Sequence, residues 1–327
     1  KIYVPAYRAF YLENFLNGTD GGFIEKTGDF REYVNKIYEI KDRVYEIPGS
    51  LVHVLRDYQK AGYRWLKALT EAGLGGILAD DMGLGKTIQI LALILSEKER
   101  MNGPALVIAP TSLVYNWMLE AEKFAPELKV LAVTGSQVQR KVLLDKIGEY
   151  DLVITSYPLI RRDIDAYLKH NFSFCIIDEA QHVKNHYTQS AKAIRRISAR
   201  NRFALTGTPM ENSLTELWSI FDFIMPGYLY TQQKFHERFI KPIIGDGDKD
   251  AGEDLNRHIR PFILRRMKKD VLKELPDKIE TIITCEMTKA QRDIYTAILV
   301  QARNEIEAVI DELGLEKSRL QILAALT

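Results

Sequence analysis

Between Leu51 and Met225, short runs that are apolar along their whole length alternate with helix-periodic stretches. No other feature constrains the fold as strongly. The apolar runs fall at residues 76–79, 105–109, 130–133, 152–155, 174–177 and 203–206, and residues 87–98 and 113–124 are two of the helical stretches between them. A strand that faces water on one side alternates apolar and polar residues, whereas a continuously apolar strand is covered on both faces. Such strands separated by helices predict an α/β fold, a parallel sheet with helices on both faces. Ligands in folds of this kind sit beyond the carboxyl ends of the strands, which is where the polar motifs of this chain fall.

Composition narrows the function classes. The chain has 327 residues, 46% hydrophobic and 27% charged, which excludes a disordered tail, a collagen-like fibre and a disulfide-stapled miniprotein. Lys and Arg number 45 against 44 Asp and Glu, a net charge of +1, so any nucleic-acid surface is a local patch. The two cysteines, Cys175 and Cys285, lie in apolar stretches, which fits a reducing compartment. No apolar run approaches the ~20 residues needed to span a bilayer, so no membrane partner is expected. The chain begins at Lys1 rather than Met and reads as part of something longer. Three regions are expected: a lead-in module over residues 1–50 with ten aromatics, an α/β lobe over 51–240, and a linker with a helical protrusion over 241–327. Within the last two, residues 245–254 carry five acids and one Lys and predict a solvated loop.

The strand at 76–79 is followed by Asp80-Asp81-Met82-Gly83-Leu84-Gly85-Lys86-Thr87 and then by a helix. Glycines let successive N–H groups turn into one concavity, and the helix N-terminus adds its positive end. Lys86 is placed to reach the β- and γ-phosphates of a nucleotide, and the Thr87 hydroxyl to ligate Mg²⁺. Asp80 stands where the general phosphate-loop pattern has its first glycine. A second strand ends in Asp178-Glu179-Ala180-Gln181. There Asp178 suits Mg²⁺ held through water, and Glu179 suits the task of orienting and deprotonating an attacking water. Kinases, switches, transporters and motors all use such pairs, so these motifs alone leave the work undefined.

Further segments occur in order around these two. They are Leu55-Arg56-Asp57-Tyr58-Gln59, Pro110-Thr111-Ser112-Leu113-Val114-Tyr115-Asn116-Trp117, Thr155-Ser156-Tyr157, and Gln181-His182-Val183-Lys184-Asn185. Leu205-Thr206-Gly207-Thr208-Pro209-Met210-Glu211-Asn212, Leu217-Trp218, Met225-Pro226-Gly227 and Leu264-Arg265-Arg266-Met267-Lys268-Lys269-Asp270-Val271 complete the series. The series resembles the SWI/SNF-type ATPases of helicase superfamily two over about residues 45–295. Asp81, Gln181 and Glu211 depart from the commonest family residues, and the last two resemble prokaryotic members.

The resemblance implies a RecA-like lobe that uses ATP and Mg²⁺ and partners double-stranded DNA and a second RecA-like lobe in cis. It implies a cytoplasmic, DNA-associated protein, with a nuclear one as the alternative. It places Arg56, Gln59, Asp81, Met82, Gly83, Leu84, Gly85, Lys86 and Thr87 around the nucleotide, with Gln59 on the adenine edge and Gln181 and His182 beside the γ-phosphate. Lys86, Asp178 and Glu179 would be catalytic, Thr87 and Asp178 would hold the metal, and Thr206 and Thr208 would couple the γ-phosphate site to DNA. Pro110, Thr111, Ser112, Thr155 and Ser156 would hold DNA phosphates, contacts that position without reading sequence. No second lobe is evident before Thr327, so slow hydrolysis is expected of this chain alone. Two basic stretches, residues 182–202 with six Lys/Arg and no acid and residues 255–278 with eight Lys/Arg and three acids, read either as DNA-facing or as solvated faces. A strand-separating helicase and a nucleotide-gated scaffold are the rival readings.

Overall fold

The computed structural model describes residues 28, 43–185, 187–207, 213–271 and 284–313. Its strands are β1 (Gly76–Leu78), β2 (Ala105–Ala109), β3 (Val130–Ala132), β4 (Leu152–Ser156), β5 (Phe172–Ile177), β6 (Ala199–Leu205) and β7 (Ile263–Leu264). They form one seven-stranded sheet in the order β3-β4-β2-β5-β6-β1-β7, with every pair parallel. Every residue of β1, β2, β4 and β5 is buried. Since alternate residues of a strand point to opposite faces, both faces of the sheet centre are covered, as the apolar runs predict.

The helices are α1 (Asp57–Glu71), α2 (Lys86–Glu97), α3 (Val114–Phe124), α4 (Gln137–Leu144), α5 (Tyr157–Arg162), α6 (Ile164–Tyr167), α7 (Gln189–Arg195) and α8 (Leu214–Ile224). After them come α9 (Gln232–Phe235), α10 (Lys249–Ile259), α11 (Lys268–Val271) and α12 (Lys289–Leu313). The seven residues from Ile88 to Ile94 of α2 are all buried, and the helix packs against α1 and α3. α3 buries Val114, Trp117 and Ala121, a one-faced spacing of three and four that turns its remaining residues outward.

Register explains why distant motifs meet. Leu78 of β1 pairs with Leu205 of β6, and Ile177 of β5 pairs with Ala204 of β6. The carboxyl ends of three adjacent strands therefore stop at one edge, and the chain beyond each begins there: Asp80–Thr87, Asp178-Glu179 and Thr206.

Two expectations past residue 240 are corrected. β7 pairs with β1 and joins the sheet, so the lobe does not stop at 240, and one compact unit runs to Lys273. The signal was weak because only two residues pair, Ile263 and Leu264. Residues 245–254 are not a loop throughout: Asp248 caps α10 by accepting from the amides of Asp250 (2.9 Å) and Ala251 (3.1 Å). Asp248 suits that place because a carboxylate at a helix N-terminus satisfies donors that have no intrahelical partner. The lead-in module lies outside the described residues apart from residue 28 and residues 43–50. Of the latter, Tyr45 is buried and the Glu46 carbonyl accepts from Tyr63 at 2.8 Å.

The second compact unit spans Glu274–Thr327. Its described part, residues 284–313, carries α12, begun by Thr288, whose amide donates to Gln291 Oε1 at 3.0 Å and whose Oγ1 accepts from the Gln291 amide at 3.4 Å. Arg303 and Glu307 form a one-turn ion pair on it at 2.8 Å.

Candidate nucleotide site

The loop between β1 and α2 turns through two glycines with positive φ, Gly83 (83°) and Gly85 (75°). A side chain at Gly85 would meet Gln59 Nε2 at closer than contact distance. Gln59, on α1, donates from Nε2 to the Leu84 carbonyl at 3.1 Å and accepts at Oε1 from the Arg56 amide at 2.9 Å. A carboxamide offers two N–H groups and two acceptor positions, so one of each remains after these bonds. An open cleft beside it is lined by Arg56, Gln59, Gly85, Ile88, Leu119 and Phe124. Met82 and Gly83 are exposed at the crest of the loop, Leu84 is buried beneath it, and Thr87 is half-buried in the first turn of α2.

Lys86 Nζ folds into the loop and donates to the Asp80 carbonyl at 2.7 Å. Burial pushes its pKa down, while the charges of Glu179, Asp178, Asp80 and Asp81 pull it back up. The lysine and the two carboxylates at the end of β5 therefore share one electrostatic neighbourhood.

Asp178 is buried and engaged on both oxygens. Oδ2 accepts from Trp117 Nε1 at 2.8 Å and Oδ1 from the Glu179 amide at 2.9 Å. Burial pushes its carboxyl above the usual carboxylate range; the indole N–H and the Glu179 amide oppose that push. The Asp178 carbonyl accepts from the Tyr157 hydroxyl at 2.7 Å. Glu179 takes a left-handed backbone, φ 50°, unusual for a residue with a side chain and of a kind that collects at functional sites. Its Oε2 accepts from Gln181 Nε2 at 2.8 Å, and Gln181 Oε1 accepts from Thr206 Oγ1 at 3.4 Å. Gln181 thus links the end of β6 to Glu179. His182 is exposed and stacks on Tyr157, ring centroids 4.8 Å apart.

The oxygens of Thr87 and Asp178 are hard donors that fit Mg²⁺. Among the described residues no group of three or more His, Cys, Asp or Glu side chains is arranged to hold a metal. Mg²⁺ is commonly held by one or two protein oxygens together with water and substrate phosphates.

Elsewhere the sequence expectations meet the structure unevenly. Thr111 and Ser112 are exposed just past β2, with Pro110 half-buried before them. Thr155 is fully buried and donates to the Val133 carbonyl at 3.4 Å, and the Ser156 hydroxyl is also interior. Residues 155 and 156 point to opposite faces of β4, and both hydroxyls are buried because the sheet is covered on both faces there, which leaves the main-chain N–H groups of this segment, expected alongside the hydroxyls, as the phosphate contacts to propose. Thr208 lies outside the described residues. The basic run 182–202 is partly spent inside the protein, for Arg202 donates to the Ile197 and Phe223 carbonyls and Arg195 pairs with Asp222 at 3.0 Å. Two contributors escaped sequence reasoning. Trp117 and Arg266 each stand in a motif of the series, but nothing in the sequence shows that Trp117 reaches Asp178 or that Arg266 reaches the loop acid Asp80 from 186 residues away.

Comparison with known proteins decides the class. A model described as SNF2-related domain matches residues 58–327. The chain belongs to the SNF2 family. A second model, described as bacterial SNF2 helicase associated, matches residues 1–48. Similar proteins include TATA-binding protein-associated factor MOT1 of Saccharomyces cerevisiae, 35% identical over 90% of this chain and 17% of that protein. The putative ATP-dependent helicase/translocase YwqA of Bacillus subtilis is 42% identical over 78% of this chain and 28% of that protein. The solved Sulfolobus solfataricus SWI2/SNF2 ATPase core in complex with dsDNA is 39% identical, with a TM-score of 0.63, covering 83% of this chain and 56% of that one. The chain therefore spans under a third of these two curated relatives and just over half of the solved core. Its sheet is the RecA-like fold of a SWI/SNF-type ATPase core, and the family uses ATP.

Proposed function

We propose that this chain is the first motor lobe of an ATP-dependent translocase on double-stranded DNA, with a second RecA-like lobe in cis completing the site. The observation that carries this reading is the meeting of Lys86, Asp178 and Glu179 at one sheet edge, with Thr206 joined to Glu179 through Gln181. The glycine loop and Lys86 bind the phosphates, Lys86 exchanging the Asp80 carbonyl for a phosphate oxygen. Gln59 and Arg56 hold the base. Mg²⁺, when bound by Thr87 and Asp178, neutralises charge on the phosphates. Glu179, oriented by Gln181, accepts a proton from the attacking water. A second lobe supplies arginine side chains, worth ~10³–10⁵ in rate in comparable NTPases, so the chain alone turns over slowly. Thr206 and Gln181 carry the state of the phosphate site toward DNA, which is held through the exposed Pro110–Ser112 turn and the main chain at 155–156. The match of residues 1–48 to a model described as bacterial SNF2 helicase associated supports a cytoplasmic, DNA-associated protein over a nuclear one.

The test uses the intact protein. Glu179→Gln is expected to abolish DNA-stimulated phosphate release while nucleotide still binds; unchanged turnover removes Glu179 from its role. Displacement of a triplex strand without separation of a duplex supports translocation, and duplex separation supports a strand-separating helicase instead.

A further inference from the structure

The loop carries two acids that phosphate binding does not call for. Asp80 has no exposed surface. Arg266, two residues beyond β7, donates from Nε to Asp80 Oδ1 at 2.8 Å and from Nη2 to Asp80 Oδ2. The same Nη2 reaches Gln89 Oε1 at 2.8 Å, and Gln89 Nε2 returns to Asp80 Oδ2 at 3.2 Å and to the Gly85 carbonyl at 3.1 Å. Arg266 Nη1 donates to the Tyr58 carbonyl, and the guanidinium lies 5.4 Å from the Tyr58 ring centre. One side chain therefore fastens α1, the loop and α2 together. The main chain repeats the connection: the Asp81 amide donates to the Arg266 carbonyl at 3.0 Å, and the Lys268 amide to Asp81 Oδ2 at 2.9 Å.

We propose that Arg266 is a positioning residue for nucleotide binding and that it couples the phosphate loop to the segment following β7. The inference rests on the nucleotide reading of the loop. A carboxylate with no access to water needs a partner of fixed geometry, and the planar guanidinium fork supplies two parallel donors that an ammonium cannot. Residues 80 and 81 thus take their place from residues 266–268 on one side, while Lys86 holds the Asp80 carbonyl on the other. A shift of the segment after β7 moves the loop. By linkage, phosphate binding biases that segment by the same free energy. Gly62 of α1 leaves the room this needs: a Cβ there would stand 2.7 Å from Arg266 Nη2 and collide with Gln89 Oε1.

The test is equilibrium binding of a fluorescent ATP analogue with Mg²⁺ to the intact protein, with a melting curve for each variant. Arg266→Met is expected to bind about 30-fold more weakly, because it strands the buried Asp80 charge. Adding Asp80→Gly removes that charge and is expected to restore affinity to within about threefold. Gly62→Ala raises helix propensity by ~1 kcal/mol in α1 but crowds Gln89 and Arg266, so a purely structural role predicts a shifted melting temperature with unchanged binding in the folded protein. The coupling predicts affinity reduced about tenfold or more by disturbance of the Arg266–Gln89 contact. Retained affinity in a folded Arg266→Met, absence of rescue in the double variant, or unchanged affinity in Gly62→Ala overturns the inference. If Arg266→Met does not fold, Gly62→Ala decides alone. Equal affinity of wild type and Lys86→Ala would instead overturn the nucleotide reading.

Discussion

Replacing Trp117 with phenylalanine removes one N–H and keeps an aromatic ring in a fully buried position. The lost bond is the 2.8 Å contact to Asp178 Oδ2. A hydrogen bond to a buried charged group is worth about 1.5–3 kcal/mol. The smaller ring leaves on the order of 40 Å³ unfilled, adding about 1 kcal/mol. Together these lower unfolding free energy by about 2.5–4 kcal/mol, and urea unfolding followed by circular dichroism measures it. The pH dependence separates the two contributions. Burial raises the Asp178 carboxyl from its ordinary 3.8, and the indole N–H lowers it again, so the variant's carboxyl rises further. A native carboxyl above its unfolded pKa takes up its proton first as pH falls, so the cost of the buried charge is present above the native pKa and is relieved below it. The gap between wild type and Trp117→Phe is therefore widest at neutral pH and narrows on acidification toward 3.8. The cavity contribution does not change with pH. A loss below about 1 kcal/mol, or a gap of constant size, would show that the indole does not hold this carboxylate.

Two further outcomes follow from groups away from the site. Arg140 pairs with the part-buried Asp163 through Nε–Oδ2 at 2.6 Å and Nη2–Oδ1 at 3.1 Å, so Arg140→Met removes two hydrogen bonds to a charged group and is expected to cost about 1.5–3 kcal/mol in urea unfolding; a cost near zero refutes this. Cys175 is fully buried and burial pushes its thiol up to about 12, whereas Cys285 is exposed. Since the thiolate is the nucleophile, alkylation followed by mass spectrometry should modify Cys285 in the native protein and Cys175 only after unfolding. Labelling of both at the same rate would contradict the burial of β5.

Strand positions and the two principal motifs were legible because local chemistry specifies them. Continuous apolar runs have no stable exposed conformation, and glycine beside Lys-Thr at a strand-to-helix turn encodes a backbone shape directly. The family was legible for a similar reason: its motifs are short, ordered and carried by contiguous residues. Burial of the Thr155 and Ser156 hydroxyls was not legible, because a polar residue at a strand end reads as exposed until the tertiary structure shows α3 and α5 packed against β4. β7 was missed because two paired residues are too few to register as a pattern. The tertiary structure alone decided how the site is braced. The bonds from Trp117 to Asp178, from Thr206 to Gln181, and from Arg266 to Asp80 join residues 25 to 186 positions apart. Their geometry depends on which strands lie side by side, and sequence spacing carries no record of that neighbourhood.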